Sequence, residues 1–216
     1  MAGGAARRYI PVMALTVTLY SDIVCPFCFI AEASSVRRLQ EEYDVALEWR
    51  GFELHPDTPP GGRRLAEVFG EERSRAMRDY LTRFAAEFGV TGMTFRDVMP
   101  STRRALAVAE YARDQGKLGP FRAAAMDAAW RHGQDVEDPE VLAHCARAAG
   151  LDPVAAVEAF DEPEYLARVM TSGAEARRNG VTGIPTVVVG GRRVVGCQPY
   201  AVLAAAAEAA GAKRRA

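Results

Sequence analysis

The chain has 216 residues, of which 49% are hydrophobic and 25% charged, and its formal net charge is -1. That balance describes a globular protein with enough apolar material for a sizeable core. It carries no basic excess or aromatic–basic interleaving that would point to nucleic acid, and no apolar run of ~18 residues that would span a bilayer.

Residues 1–12 read as a disordered leader. Arg7-Arg8 followed by an apolar stretch has the outline of a secretory signal. However, Pro11, Thr16 and Thr18 interrupt it, no small-x-small cleavage site follows, and cleavage would remove the first strand. A cytoplasmic protein is therefore expected. Four cysteines, Cys25, Cys28, Cys145 and Cys197, are too few for a secreted disulfide scaffold of this length.

Residues 13–19 read as a buried first strand. The pair Cys25-Pro26-Phe27-Cys28 follows it, and Ile30, Ala33, Val36 and Leu39 then recur at helical spacing to about Tyr43. Residues 45–52 alternate as a second strand and stop at the turn-rich 55–62. The long middle, 63–177, shows no strand and predicts an inserted all-helical domain of five or six helices. Asp138-Pro139 and Asp152-Pro153 pair an N-cap with a first-turn proline. Residues 186–189 and 192–196 then form a hairpin around Gly190-Gly191, and 198–209 form a closing helix. The order is βαβ, a helical insertion, then ββα, an α/β arrangement in which 13–62 and 178–212 make one discontinuous domain.

A CxxC placed where a strand runs into a helix makes a reactive cysteine. Unpaired N–H groups and the helix dipole favour a thiolate at Cys25, and Cys28 is close enough to resolve any mixed disulfide formed there. Cys25 is thus expected to be the exposed nucleophile and Cys28 the shielded partner. Zinc is the main rival for a CxxC, but it would need two further ligands from Cys145, Cys197, His55, His132 or His144, and no second paired motif supplies them. No metal site is predicted. Cys145 and Cys197 read as packed thiols, and the three histidines as surface or packing residues.

Three stretches, residues 21–30, 49–54 and 180–186, resemble the DsbA-like oxidoreductases of the thioredoxin fold. The similarity is to the FrnE-type branch, related to 2-hydroxychromene-2-carboxylate isomerases and kappa-class glutathione transferases. It implies a thioredoxin-like fold with a large helical insertion. It also implies a cis Ile184–Pro185 bond beside the cysteines, with Pro26, Phe27, Ile184 and Pro185 contacting substrate. The implied activity is protein disulfide oxidoreductase chemistry by the Cys25/Cys28 couple on protein or small-molecule thiols, with no bound cofactor and glutathione as a redox co-substrate. Two readings stay open beside it: a glutathione-dependent isomerase or transferase, and a noncatalytic, zinc-binding interaction module. Oligomeric state is left open.

The sequence departs from its relatives in three places. Phe27 stands where strongly oxidising members carry histidine. Leu19 stands where a buried carboxylate often lies, with Asp22 as a candidate substitute. Ser101 and Leu106 replace the asparagine and histidine of a motif found in related isomerases. The insertion is expected to cover the site, with Phe27, Phe29, Trp49 and Phe52 as candidates for an apolar rim and core packing favoured for Trp49 and Phe52.

Overall fold

The β-branched and apolar residues of Leu15–Ser21 and Val45–Gly51 suit a pleated surface that is covered by other elements. In the computed structural model, which describes residues 14–215, these segments are strands β1 (Leu15–Ser21) and β2 (Val45–Gly51). They run parallel, with Leu15 opposite Val45 and Ser21 opposite Gly51. A parallel pair needs a crossover. It is one helical run: α1 (Pro26–Ala31), a π-helical segment (Glu32–Val36) and α2 (Arg37–Glu42).

The insertion follows. It comprises β3 (Arg63–Arg64), α3 (Leu65–Phe69), α4 (Glu71–Glu87), β4 (Val98–Met99), α5 (Arg103–Asp114), α6 (Leu118–Trp130), α7 (Pro139–Ala148), α8 (Pro153–Glu158), a 3-10 turn (Ala159–Asp161) and α9 (Pro163–Arg178). The chain then returns as β5 (Thr186–Val189), β6 (Arg192–Val195) and α10 (Tyr200–Ala209). The main sheet has the order β2-β1-β5-β6, with β5 antiparallel to both β1 and β6. This is a thioredoxin-like α/β fold with a helical insertion.

The predicted caps form as expected. Asp138 accepts from the Glu140 N–H and Asp152 from the Val154 N–H, both at 2.8 Å. Three expectations need correction. The first strand runs two residues later than 13–19, because Tyr20 and Ser21 are buried and pair with Arg50 and Gly51; Met13 and the leader lie outside the described residues. The middle segment holds a two-stranded ribbon, Arg63 opposite Met99 and Arg64 opposite Val98. Strands of two residues carry no periodicity by which to find them. It also holds seven α-helices among the described residues rather than five or six, because α3 and α8 are only a turn or two long.

Sheet and insertion share a continuous apolar core. Val17, Leu19, Ile30 and Trp49 from the first part belong to the same buried cluster as Leu106, Phe121 and Leu142 from the insertion. The opposite face is covered more thinly, where Tyr20 and Phe52 meet Ala176 and Val181.

The β5–β6 turn fixes the register of the hairpin. Gly190 and Gly191 have φ of 55° and 77°, the left-handed pair that a two-residue hairpin turn requires. A Cβ on Gly190 would lie 2.5 Å from the Ala210 Cβ, whereas one on Gly191 would meet nothing within 4 Å. Gly191→Ala is therefore expected to cost ~1–2 kcal/mol for backbone conformation alone. Gly190→Ala should cost a further ~1–3 kcal/mol for the collision. Denaturant unfolding of the two variants checks the order.

Candidate active site

Pro26 is pre-set for the first helical position, so α1 starts there and Cys25 becomes its N-cap, with extended φ and ψ of -85° and 115°. Cys28 falls one turn later on the inner side. The Ile184–Pro185 bond is cis, and it brings the Ile184 carbonyl oxygen to 4.0 Å from Cys25 Sγ. The Pro185 carbonyl is already engaged, accepting from the Gly196 N–H at 2.7 Å.

Cys25 is not exposed as the sequence suggested. It retains 2% of its surface and Cys28 none. The cause is the insertion. Cys25 lies in the wall of a cavity of about 300 Å³ whose other walls include Met77 and Leu81 of α4, Phe95, Val98 and Met99 of the ribbon region, and Trp130 of α6. Pro26, Phe27 and Ile184 also face this cavity, while Pro185 is buried beside it. The few polar groups on the wall include His55, Arg78, Arg96 and Gln134.

Of the proposed apolar rim, only Phe27 reaches the cavity, with its ring 5.4 Å from that of Phe84 and 6.5 Å from that of Tyr80. Phe29 instead stacks under Trp130 at 6.3 Å and is buried. Trp49 and Phe52 pack in the two cores. Trp130 was not singled out from the sequence, yet its indole N–H donates to the Ile23 carbonyl at 2.8 Å and ties the insertion to the loop before Cys25. Nothing in its local spacing marks it. His55, read as a surface or packing residue, sits on the cavity wall, where burial and then the charge of Arg63 hold its pKa down.

Burial pushes the Cys28 thiol well above its ordinary value, and the neighbouring Cys25 sulfur adds to this; the Asp22 backbone and the Ser21 hydroxyl act in the other direction. Cys145 is buried and its thiol is pushed up to about 11. Cys197, at the end of the hairpin and close to Cys25, is pushed up to about 12 by burial and then by that neighbour. Neither favours a thiolate. Among the described residues, no group of three or more His, Cys, Asp or Glu side chains is arranged to hold a metal ion.

A CxxC at the start of the crossover helix, facing a cis proline before the third main-sheet strand, places the chain. It matches the DSBA-like thioredoxin domain over residues 16–208. The protein belongs to that family. Among curated proteins it is similar to YwbO of Bacillus subtilis (strain 168), 26% identical over 182 residues that span 82% of this chain and 88% of that one. Among solved structures it resembles the probable DsbA oxidoreductase SCO1869 from Streptomyces coelicolor. The TM-score there is 0.79 and the identity 27%, with 91% of this chain and 89% of that one covered. A 2-hydroxychromene-2-carboxylate isomerase shares the fold at a TM-score of 0.69 and 18% identity, covering 90% of this chain and 95% of its own.

Within this family member, Asp22 is a buried carboxylate with a structural task. Its Oδ2 accepts from the Leu54 N–H at 2.8 Å and from the Thr102 hydroxyl at 3.1 Å, joining the loop before Cys25 to the segment after β2 and to the start of α5. Its Oδ1 has no partner among the described residues. Burial raises its pKa from 3.8 to about 6; the bonds to Leu54 and Thr102 oppose the rise and the charge of Glu53, itself paired with Arg103, adds to it. A folded pKa above the unfolded one stabilises the fold fully below the unfolded pKa, and that contribution is lost as pH rises through the folded one. The shift corresponds to on the order of 2–3 kcal/mol. Asp22→Asn, which keeps the Oδ acceptor, is expected to gain that much stability over the parent between about pH 4 and 7, read by denaturant unfolding at several pH values.

Proposed function

We propose that the protein is a thiol–disulfide oxidoreductase in which Cys25 and Cys28 cycle between dithiol and disulfide. The reading rests on the placement of Cys25 at the helix N-cap, between the Ile184 carbonyl and an apolar cavity, with Cys28 one turn behind it. In the reducing direction the Cys25 thiolate attacks a substrate disulfide, forming a mixed disulfide and releasing one substrate thiolate. The Cys28 thiolate then attacks Cys25 Sγ, the substrate–Cys25 bond breaks, and the second substrate thiolate leaves. Two electrons pass to the substrate, and the Cys25–Cys28 bond is the oxidised product. The oxidising direction is the reverse.

The walls of the cavity favour thiols or disulfides with an apolar flank, from a small molecule or a protein side chain that can enter beside Phe27 and Met77. Glutathione serves in this reading as the co-substrate that returns the couple to its starting state. No helix of the described residues is long and apolar enough to cross a membrane; the proposed compartment is the cytoplasm, since four cysteines are too few for a secreted disulfide scaffold of this length. A glutathione-dependent isomerase is the second reading, favoured by an apolar cavity next to a single reachable sulfur.

Mass spectrometry separates the two. The oxidised protein should lack two hydrogen masses, located by peptide mapping to Cys25–Cys28 and restored by a dithiol. Cys28→Ser should accumulate stable mixed disulfides at Cys25, and Cys25→Ser should accumulate none. Failure of the parent protein to exchange with glutathione disulfide or an apolar disulfide would sink the oxidoreductase reading. Glutathione-dependent isomerisation that survives Cys28→Ser would support the second.

A further inference from the structure

The cavity over Cys25 is largely apolar, yet two guanidinium side chains stand in its wall. Arg78 comes from α4 and Arg96 from the segment just before β4. Among the described residues, the wall holds no aspartate or glutamate to answer them. Both arginines have a carboxylate partner elsewhere. Arg78 Nη2 donates to Asp97 Oδ1, and Arg96 Nη2 donates to Asp135 Oδ2 at 2.8 Å. Neither aspartate lines the cavity, and the Asp97 side chain is 75% exposed. Each guanidinium is thus anchored by a group that is not part of the wall.

Each also keeps a donor in reserve. Arg78 Nε and Arg96 Nη1 are shut away from water and have no hydrogen-bond partner among the described residues. Buried donors are ordinarily paired, and those on a charged group are the most costly to leave unpaired. The frame that carries them is tied down. Thr94, two residues before Arg96, donates its N–H to the Trp130 carbonyl at 2.7 Å and its hydroxyl to the Arg131 carbonyl at 3.0 Å. The Leu65 N–H at the start of α3 donates to the Asp97 carbonyl at 2.8 Å. Two anchored cations with spare donors, set among apolar walls, fit a carboxylate. We infer that Arg78 and Arg96 form an anion subsite selecting small thiols or disulfides that bear a carboxylate on an apolar body, a specificity that rests on the dithiol reading above.

In this arrangement the ligand sulfur lies toward Cys25, the apolar body against Phe95, Val98 and Trp130, and the carboxylate at the two arginines. The Phe95 and Trp130 rings meet edge to face at 6.1 Å, a surface suited to an aryl body. A volume of about 300 Å³ restricts the occupant to a small molecule. The exchange step is the one given above: Cys25 Sγ forms a bond to one ligand sulfur, and the other sulfur leaves as a thiolate with the electron pair. Arg78 and Arg96 touch no reacting atom; they set which disulfide is held for attack. An uncharged ligand of the same shape lacks the anion that both donors call for, and a buried polar site discriminates strongly against such an analogue.

Two probes read this specificity: dithionitrobenzoate, an aryl disulfide with a carboxylate on each ring, and its uncharged diamide. Each is mixed with reduced protein in stopped flow, with Cys25→Ser protein as the blank, and thiolate release gives a second-order rate constant. The quantity read is the acid-to-amide ratio of these constants, divided by the same ratio for mercaptoethanol to remove intrinsic reactivity. The parent ratio should exceed one. Arg78→Gln and Arg96→Gln are each expected to lower it ~10- to 100-fold, the scale of a hydrogen bond to a charged group. Arg75→Gln removes the same charge from an exposed position on α4 that does not line the cavity, and should leave the ratio at the parent value. Where loss of the Asp135 partner prevents Arg96→Gln from folding, Arg78→Gln decides, because its partner Asp97 is exposed. A parent ratio of one or less, an unchanged ratio in either folded glutamine variant, or an equal fall in Arg75→Gln overturns the subsite alone. A parent protein that releases thiolate from neither probe overturns the thiol-exchange reading and the subsite with it.

Discussion

A thiol shut away from water constrains everything built around it. Cys28 lies on the buried side of the crossover helix, where an unpaired charge is costly. Each polar group close to it is therefore tied to something else. Ser21 closes β1 and bonds Glu32; Glu32 is clamped by Trp49 of β2 and Arg122 of α6; Asp22 gives its side chain to Leu54 and Thr102. Strand, helix and insertion thus meet at one small polar cluster inside an otherwise apolar core.

The insertion is part of that cluster and of the core, since Leu106, Phe121 and Leu142 belong to the same buried group as Leu19 and Trp49. Its contribution to the site is double. Trp130 fixes the loop before Cys25 through the Ile23 carbonyl, and α4 with the 94–100 segment encloses the cavity over that cysteine. Cys25 consequently faces an apolar cavity and not open solvent. In a bare sheet-and-helix domain it would lie at the surface, which is why a reading from local motifs alone makes Cys25 exposed.

Much of the fold was legible because its signals are local. Pro26 after Cys25 marks a helix start, Asp138-Pro139 and Asp152-Pro153 mark two more, and Gly190-Gly191 between β-branched runs marks a hairpin. The ribbon of Arg63–Arg64 with Val98–Met99 was not legible, since it depends on residues over 30 apart that carry no alternation. Glu32 occupies an intermediate place. Its spacing of four from Cys28 was available as a clue to a shared helix face, but a glutamate on a helix is ordinarily solvated, and nothing local says that Trp49 and Arg122 bury it.

By itself the sequence determined the two sulfurs and the order of strands and helices, because each of these is written in a few adjacent residues whose backbone preferences are strong; the proline beside Cys25 was implied by the family resemblance. Tertiary structure alone decided what surrounds the sulfurs: the apolar cavity, the inward turn of Glu32, and the attachment of Asp22 to Leu54 and Thr102. Those are matters of which side chains from distant segments exclude water together. Solvent exclusion is a property of the assembled core, and no stretch of chain carries it in advance.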